Sequence, residues 1–100
     1  MIEVRQTGIF SSWLRKLRDD KAKFRIIARV RRLSLGNFGD ARPVGDGVAE
    51  LRIDHGPGYR VYFQQLGNLL ILLLAGGTKA TQESDIAKAK KLAKEWVNEH

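Results

Sequence analysis

The spacing of apolar and polar residues changes several times along the chain, and each change marks a predicted element. Residues 2–6 alternate between apolar and polar, which is the period of a half-buried strand. Thr7 follows where a helix N-cap is expected. The next apolar residues recur at i, i+3, i+4 and i+7, which predicts a short amphipathic helix with an apolar face of Phe10, Trp13, Leu14 and Leu17.

A second helix is predicted to begin after Asp19 and Asp20, which interrupt the first helix and suit a helix N-terminus. Its apolar face is predicted to contain Phe24, Ile26, Ile27, Val30 and Leu33. Basic residues at steps of four, four and three predict a stripe on the opposite side, formed by Lys21, Arg25, Arg29 and Arg32. Gly36 supplies the left-handed residue that ends such a helix. Two helices joined this closely predict a helical hairpin.

The second half of the chain has the pattern of three strands followed by a helix. The strands are predicted at residues 48–54, 59–65 and 69–75, and the helix from Gln82 to about Asn98. A loop through Pro43, Gly45 and Gly47 is expected to precede the first of these strands. The last strand is apolar throughout, which predicts a central strand covered on both faces, with Gly76-Gly77 ending it.

The resulting order, β-α-α-β-β-β-α, predicts an α+β fold. Its N-terminal helical hairpin is expected to pack on one face of a small antiparallel sheet, with a C-terminal helix following the last strand. The chain has 100 residues, which is room for one modest hydrophobic core, so residues 1–100 are predicted to form a single domain.

Composition excludes several classes of protein. The chain has no cysteine, so disulfide frameworks, cysteine-based zinc sites and thiol nucleophiles are excluded. The longest apolar run is far too short to cross a membrane, and the first residues do not form a signal peptide. We therefore expect a cytoplasmic protein that has no membrane partner and needs no cofactor or metal.

The positive charge is concentrated in one part of the chain. The formal net charge is +7, and residues 1–35 alone carry ten Lys and Arg against three acidic residues. Localised charge of this kind on a small domain indicates an anionic partner, most often a nucleic acid. The predicted basic stripe is the candidate RNA-binding surface. Its alternative interpretation is a solvated helix face.

The strand alternation predicts one cluster that could act on a phosphate. If Leu51 and Val61 face the helical hairpin, the polar residues between them share the opposite face of the sheet; these are Glu50, Arg52, Arg60 and Tyr62. Arginine pairs grip phosphate bidentately, and Lys79 could reach the cluster from its rim. Cleavage of RNA by its own 2′-hydroxyl needs a base, a cation over the phosphorane and an acid for the leaving oxygen.

Each member of this cluster also has a structural interpretation. The two arginines could pair with Glu50 and Asp54 across the strands, and Tyr62 and Lys79 could be ordinary strand and helix-entry residues. The candidate base is Glu50 or His55, and the candidate acid is Lys79 or Tyr62. His55 lies among turn residues, so it could equally be solvated.

Several segments resemble the RelE/ParE toxin superfamily, and its HigB-like, phage-derived addiction-module killer branch most of all. The most specific is Gly-Pro-Gly-Tyr-Arg-Val-Tyr-Phe at residues 56–63, and the resemblance runs over residues 7–95. It also covers Glu-Leu-Arg-Ile at 50–53, Gly-Asn-Phe-Gly-Asp at 36–40 and Gly-Gly-Thr-Lys at 76–79.

The resemblance implies a type II toxin, usually a ribosome-dependent endoribonuclease that cuts mRNA, with a cognate antitoxin of the helix-turn-helix type. Arg60 matches the family's phosphate-gripping arginine well, and Lys79 matches the basic residue after the last strand approximately. The family's second-strand lysines and its tyrosine near the C-terminus have no counterpart here. A ParE-like inhibitor of DNA gyrase and a non-catalytic RNA-binding module are the alternatives, because the same fold serves both.

Overall fold

The computed structural model describes residues 2–99, with side chains up to Trp96. The strands are β1 (Glu3–Gln6), β2 (Ala41–Gly45), β3 (Val48–Ile53), β4 (Tyr59–Leu66) and β5 (Leu70–Thr78). The helices are α1 (Gly8–Lys16), α2 (Asp20–Ser34) and α3 (Gln82–Glu99), the last preceded by a short 3₁₀ turn at Lys79–Thr81. The predicted α+β class, the hairpin and the C-terminal helix are confirmed.

Side chains cap the two N-terminal helices as predicted. Thr7 Oγ1 accepts a hydrogen bond from the Phe10 N–H at 3.1 Å, and Asp19 Oδ1 accepts from the N–H groups of Lys21 and Ala22. The end of α2 is closed by Gly36 at φ +87°, where the N–H of Gly36 bonds to the carbonyl of Leu33. These local contacts fix where each helix starts and stops.

The five strands form one sheet in the order β1-β5-β4-β3-β2. Strands β2 to β5 are an antiparallel meander, and β1 pairs in parallel with β5. Strand β5 is therefore interior to the sheet, and residues 71–75 are buried on both faces, as their apolar run predicts.

A layer of helix covers each face of the sheet. The hairpin buries Phe10, Ile26 and Leu33 against the face that carries Leu51 and Val61. Helix α3 covers the other face, where Ala89 and Ala93 pack among Tyr62, Leu72 and Leu74. None of the helices within residues 2–99 has the length and apolar character needed to cross a membrane.

The predicted loop through Pro43, Gly45 and Gly47 is wrong, because its first part is the edge strand β2. Asp46 and Gly47 both have positive φ, +55° and +78°, and form the two-residue turn that joins β2 to β3. Pro43 lacks an N–H donor, which an edge strand tolerates because one of its sides needs no partner. A register irregularity between Pro43 and Gly45 accommodates the change of direction.

The prediction that Gly76-Gly77 ends the last strand is also wrong, since β5 continues through both residues to Thr78. Their role is close packing. A Cβ atom at Gly76 would overlap the indole ring of Trp13, and one at Gly77 would overlap the carboxylate of Asp85. The two glycines thus let the Trp13 ring approach one face of the sheet and the Asp85 carboxylate approach the other.

The apolar face predicted for α2 is correct only in part. Ile26 and Leu33 are buried and Val30 is half-buried, but Phe24 is 74% exposed and Ile27 is 55% exposed. At 100° per residue, Phe24 lies opposite the buried Ile26 and Leu33 rather than beside them. The side chains of Phe24 and Ile27 are therefore not part of the hydrophobic core.

Candidate functional site

The register of β3 and β4 places the predicted polar cluster on one face of the sheet. Glu50 pairs directly with Tyr62, and Arg52 pairs with Arg60. Directly opposed antiparallel residues project to the same side, so four polar side chains stand together beside the start of α3. The sequence prediction of a shared face is confirmed in this respect.

Glu50 is the centre of this cluster and is 2% exposed. One carboxylate oxygen accepts a hydrogen bond from Arg52 Nε at 3.3 Å and forms an ion pair with Arg60 Nη1 at 4.0 Å. The other accepts from the Tyr62 hydroxyl at 3.2 Å and from Gln82 Nε2 at 2.7 Å. A buried carboxylate needs such partners to offset the loss of water, and here both oxygens are engaged.

Tyr62 is fully buried beneath α3. Burial raises the pKa of its phenol far above the ordinary value, and the neighbouring Glu50 carboxylate raises that pKa further. The phenol therefore stays protonated and donates to Glu50. Its enclosure leaves no surface on which a substrate could contact it.

The cationic members of the cluster line an open cleft of about 410 Å³. Arg52, Arg60 and Lys79 contribute positive charge, and the 56–58 turn forms one wall. The backbone N–H of Lys79 bonds to the carbonyl of Gly58 at 2.8 Å, which ties the end of β5 to that turn. Arg60 Nε is buried without a hydrogen-bond partner among the described residues. The cleft thus joins two guanidinium groups and an ammonium group, a combination suited to a phosphate.

His55 lies apart from this cluster. Its Nε2 is 3.0 Å from Asp19 Oδ2, and its ring stacks near Tyr59 at 6.4 Å between centroids. The hydrogen bond from the Ala22 N–H lowers the pKa of the Asp19 carboxyl, and the bond with His55 lowers it further. His55 thus ties the 55–58 turn to the start of α2, and the structure does not bring it to Glu50 or the arginines.

Three of the four residues in the predicted basic stripe line a second cleft, of about 360 Å³; these are Arg25, Arg29 and Arg32. Lys21 is exposed but does not line it. Arg29 Nη1 donates to the carbonyl of Arg52 at 3.1 Å, so this residue also links α2 to β3. Ile53 and Asp54 line both clefts, which meet at the end of β3.

Comparison with known proteins finds a relative of similar length. No family model matches it. It is 52% identical over 94 residues to an uncharacterized protein of Haemophilus influenzae strain Rd, and the match spans 94% of this chain and 95% of that protein. The chain belongs to the same protein family.

The fold is that of a known toxin structure. A mutant of E. coli toxin RelE in the free state, with two arginines replaced by alanine, superposes with a TM-score of 0.75 at 13% identity. The match covers 90% of this chain and 95% of that one. The structural neighbour confirms the RelE-like fold predicted from the sequence.

Sequence reasoning missed two residues of the site. Gln82 bonds to Glu50 from the first turn of α3, and Asp40 adds a carboxylate to the first cleft beside Asp54, which was considered only as a partner of the arginines. The predicted start of α3 at Gln82 was the available signal, because the first residue of a helix after a strand lies near that strand's end. Among the side chains that the structure describes, no three His, Asp or Glu residues come close enough together to hold a metal ion.

Proposed function

We propose that the protein is a type II toxin of the HigB-like kind that cleaves mRNA on the ribosome. The observation that carries this proposal is the convergence of Arg52, Arg60 and Lys79 on one open cleft. A protein that only blocks a partner has no need for three cations gathered around one cleft. The RelE-like fold and the net charge of +7 also support it.

In the proposed reaction the 2′-hydroxyl oxygen of the RNA attacks the adjacent phosphorus, and the bond from phosphorus to the 5′-oxygen breaks. Arg52 and Arg60 stabilise the charge of the phosphorane, and Lys79 gives a proton to the leaving 5′-oxygen. The products are a 2′,3′-cyclic phosphate and a 5′-hydroxyl. No divalent ion takes part in these steps.

The roles of the buried residues follow from their contacts. Both oxygens of Glu50 are occupied, so we assign it to holding Arg52 and Arg60 in place rather than to accepting a proton. Tyr62 in turn holds Glu50. Asp40 and Asp54 are exposed carboxylates on the first cleft and are the accessible acceptors for the 2′-hydroxyl proton.

A toxin of this kind acts on ribosome-bound mRNA in the cytoplasm. It is neutralised by a cognate antitoxin, for which we propose a helix-turn-helix protein.

Substitution of Arg60 tests the proposed function. We expect Arg60→Ala to lower the rate of mRNA cleavage on purified ribosomes about 100-fold or more, because a cation over the phosphorane is lost. Arg60→Lys keeps the charge and should lose less. Thermal unfolding of each variant checks that the fold persists. A folded Arg60→Ala protein that cleaves at the normal rate would contradict the proposal.

Induction in growing cells separates this function from inhibition of gyrase. We expect fragmented mRNA and halted translation to appear before replication fails. DNA breaks that appear first, with intact mRNA, would support a gyrase inhibitor instead.

A further inference from the structure

We propose that the second cleft is a subsite for one unpaired base of the RNA, which stacks on the ring of Phe24 and is held there by flanking arginines. This inference rests on the proposed function for its substrate. The subsite would recognise RNA away from the reacting phosphate, through Phe24, which takes no part in the proposed reaction.

The exposure of Phe24 is the first observation. Within the side chains that the structure describes, five large hydrophobic residues are exposed, and Phe24 is the aromatic one among them. Phe24 is 74% exposed and lines the second cleft together with Ala28. An open aromatic ring is a stacking platform for any base, since every base has a π-face.

The arginines around the ring are the second observation. Arg25 and Arg32 are exposed and line the same cleft, so each can contact a phosphate or cover the outer face of a stacked base. Arg29 is fixed by its hydrogen bond to the carbonyl of Arg52. A cleft of about 360 Å³ lined by one aromatic residue and three arginines is large enough for a nucleotide.

The position of this cleft relative to the first is the third observation. Ile53 and Asp54 line both, so a strand that leaves the reacting phosphate can enter the second cleft directly. Asp54 is one of the two proton acceptors proposed for the reaction, so a nucleotide in the second cleft would lie directly beside the cut position.

Ile27, one turn along α2 from Phe24, is also exposed and apolar, and so is Leu35 just beyond the end of the helix. A protein partner that docked on this stripe would contact Ile27 as well as Phe24. An RNA base in the second cleft would contact Phe24 and not Ile27, which does not line that cleft. The convergence of three arginines on Phe24 favours RNA, and Ile27 supplies a matched control on the same helix.

The test measures binding of a short single-stranded 2′-O-methyl RNA, which the proposed chemistry cannot cut, by fluorescence anisotropy over a series of salt concentrations. We expect Phe24→Ala to weaken binding about tenfold at every salt concentration, since base stacking does not release ions. Phe24→Trp should bind at least as tightly as the wild type. Arg25→Gln should lower the log–log salt slope by about 0.7, as loss of one phosphate contact does on a single strand.

Ile27→Ala is the control and should bind the RNA as the wild type does. The subsite is overturned if Phe24→Ala binds normally, or if Ile27→Ala loses as much affinity as Phe24→Ala. It is also overturned if both variants keep RNA binding and lose the co-expressed antitoxin, because the stripe is then a protein-docking surface. Wild-type protein that binds through Phe24 but leaves ribosomal mRNA intact would retain the subsite and refute the nuclease.

Discussion

At the scale of single residues, the buried carboxylate of Glu50 determines how the site is held. A charge this far from water is tolerated only with several partners, and Glu50 has four, from β3, β4 and α3. The same contacts orient Arg52 and Arg60 toward the first cleft. The site is therefore positioned by a residue that a substrate does not reach.

Tyr62→Phe tests whether this support is structural. We expect the free energy of unfolding to fall by about 1.5 kcal/mol, because a hydrogen bond to a charged group is lost. The cleavage rate should stay within about tenfold of the wild type, since Tyr62 contacts Glu50 and not the RNA. The measurements are urea unfolding and cleavage of ribosome-bound mRNA.

Glu50→Gln is the matched comparison. It should lower the free energy of unfolding by about 3 kcal/mol, because it leaves two guanidinium groups without their carboxylate. A stable Tyr62→Phe protein whose cleavage rate falls by a factor of about 1000 would instead make the phenol a proton donor. That result would return Tyr62 to the acid role that the sequence allowed.

At the scale of elements, the two N-terminal helices, four of the five strands and α3 were predictable, and the failures have physical causes. Strand β2 was missed because Pro43 and its neighbouring glycines suggest a loop, although Asp46-Gly47 is a strong hairpin signal. Gly76-Gly77 looked like a strand end because the sequence does not show that Trp13 and Asp85 pack against these residues. Hydrophobicity alone also failed to separate Phe24 from the core residues of α2.

Predicting the site had the same limits. The alternation of apolar and polar residues correctly placed four polar side chains on one face, because successive side chains of a strand point to opposite faces of the sheet. These are Glu50, Arg52, Arg60 and Tyr62. It could not show that α3 would cover two of them and leave two on an open cleft. Nor could it show that His55 pairs with Asp19, a contact between residues 36 positions apart.

Gly76→Ala tests the packing of α1 on β5. We expect a loss of about 1–3 kcal/mol in urea unfolding, because the new methyl group overlaps the Trp13 ring. Gly8→Ala is the control. Gly8 is the first residue of α1, and a Cβ atom added there has no neighbouring atom within 4 Å. This substitution should therefore raise the free energy of unfolding by about 0.4–1 kcal/mol. Equal stability of Gly76→Ala and the wild type would contradict the placement of Trp13.

At the scale of the whole molecule, two separate features lie at one end of the sheet. The hairpin on one face carries the arginines of the second cleft, and β3, β4 and the 3₁₀ turn after β5 supply the cations of the first. The two clefts meet at Ile53 and Asp54, at the end of β3. The arginines proposed to bind RNA and the cations proposed to act on the phosphate therefore line adjoining clefts, although they come from different parts of the chain.

One experiment decides whether this protein cuts mRNA through the RNA's own 2′-hydroxyl, as proposed. Purified ribosomes carrying a message with a single 2′-O-methyl group at the cut nucleotide are incubated with the protein, beside the unmodified message. We expect the unmodified message to be cut to fragments with 5′-hydroxyl ends and the modified message to stay intact. Equal cleavage of both messages, or fragments with 5′-phosphate ends, would contradict it.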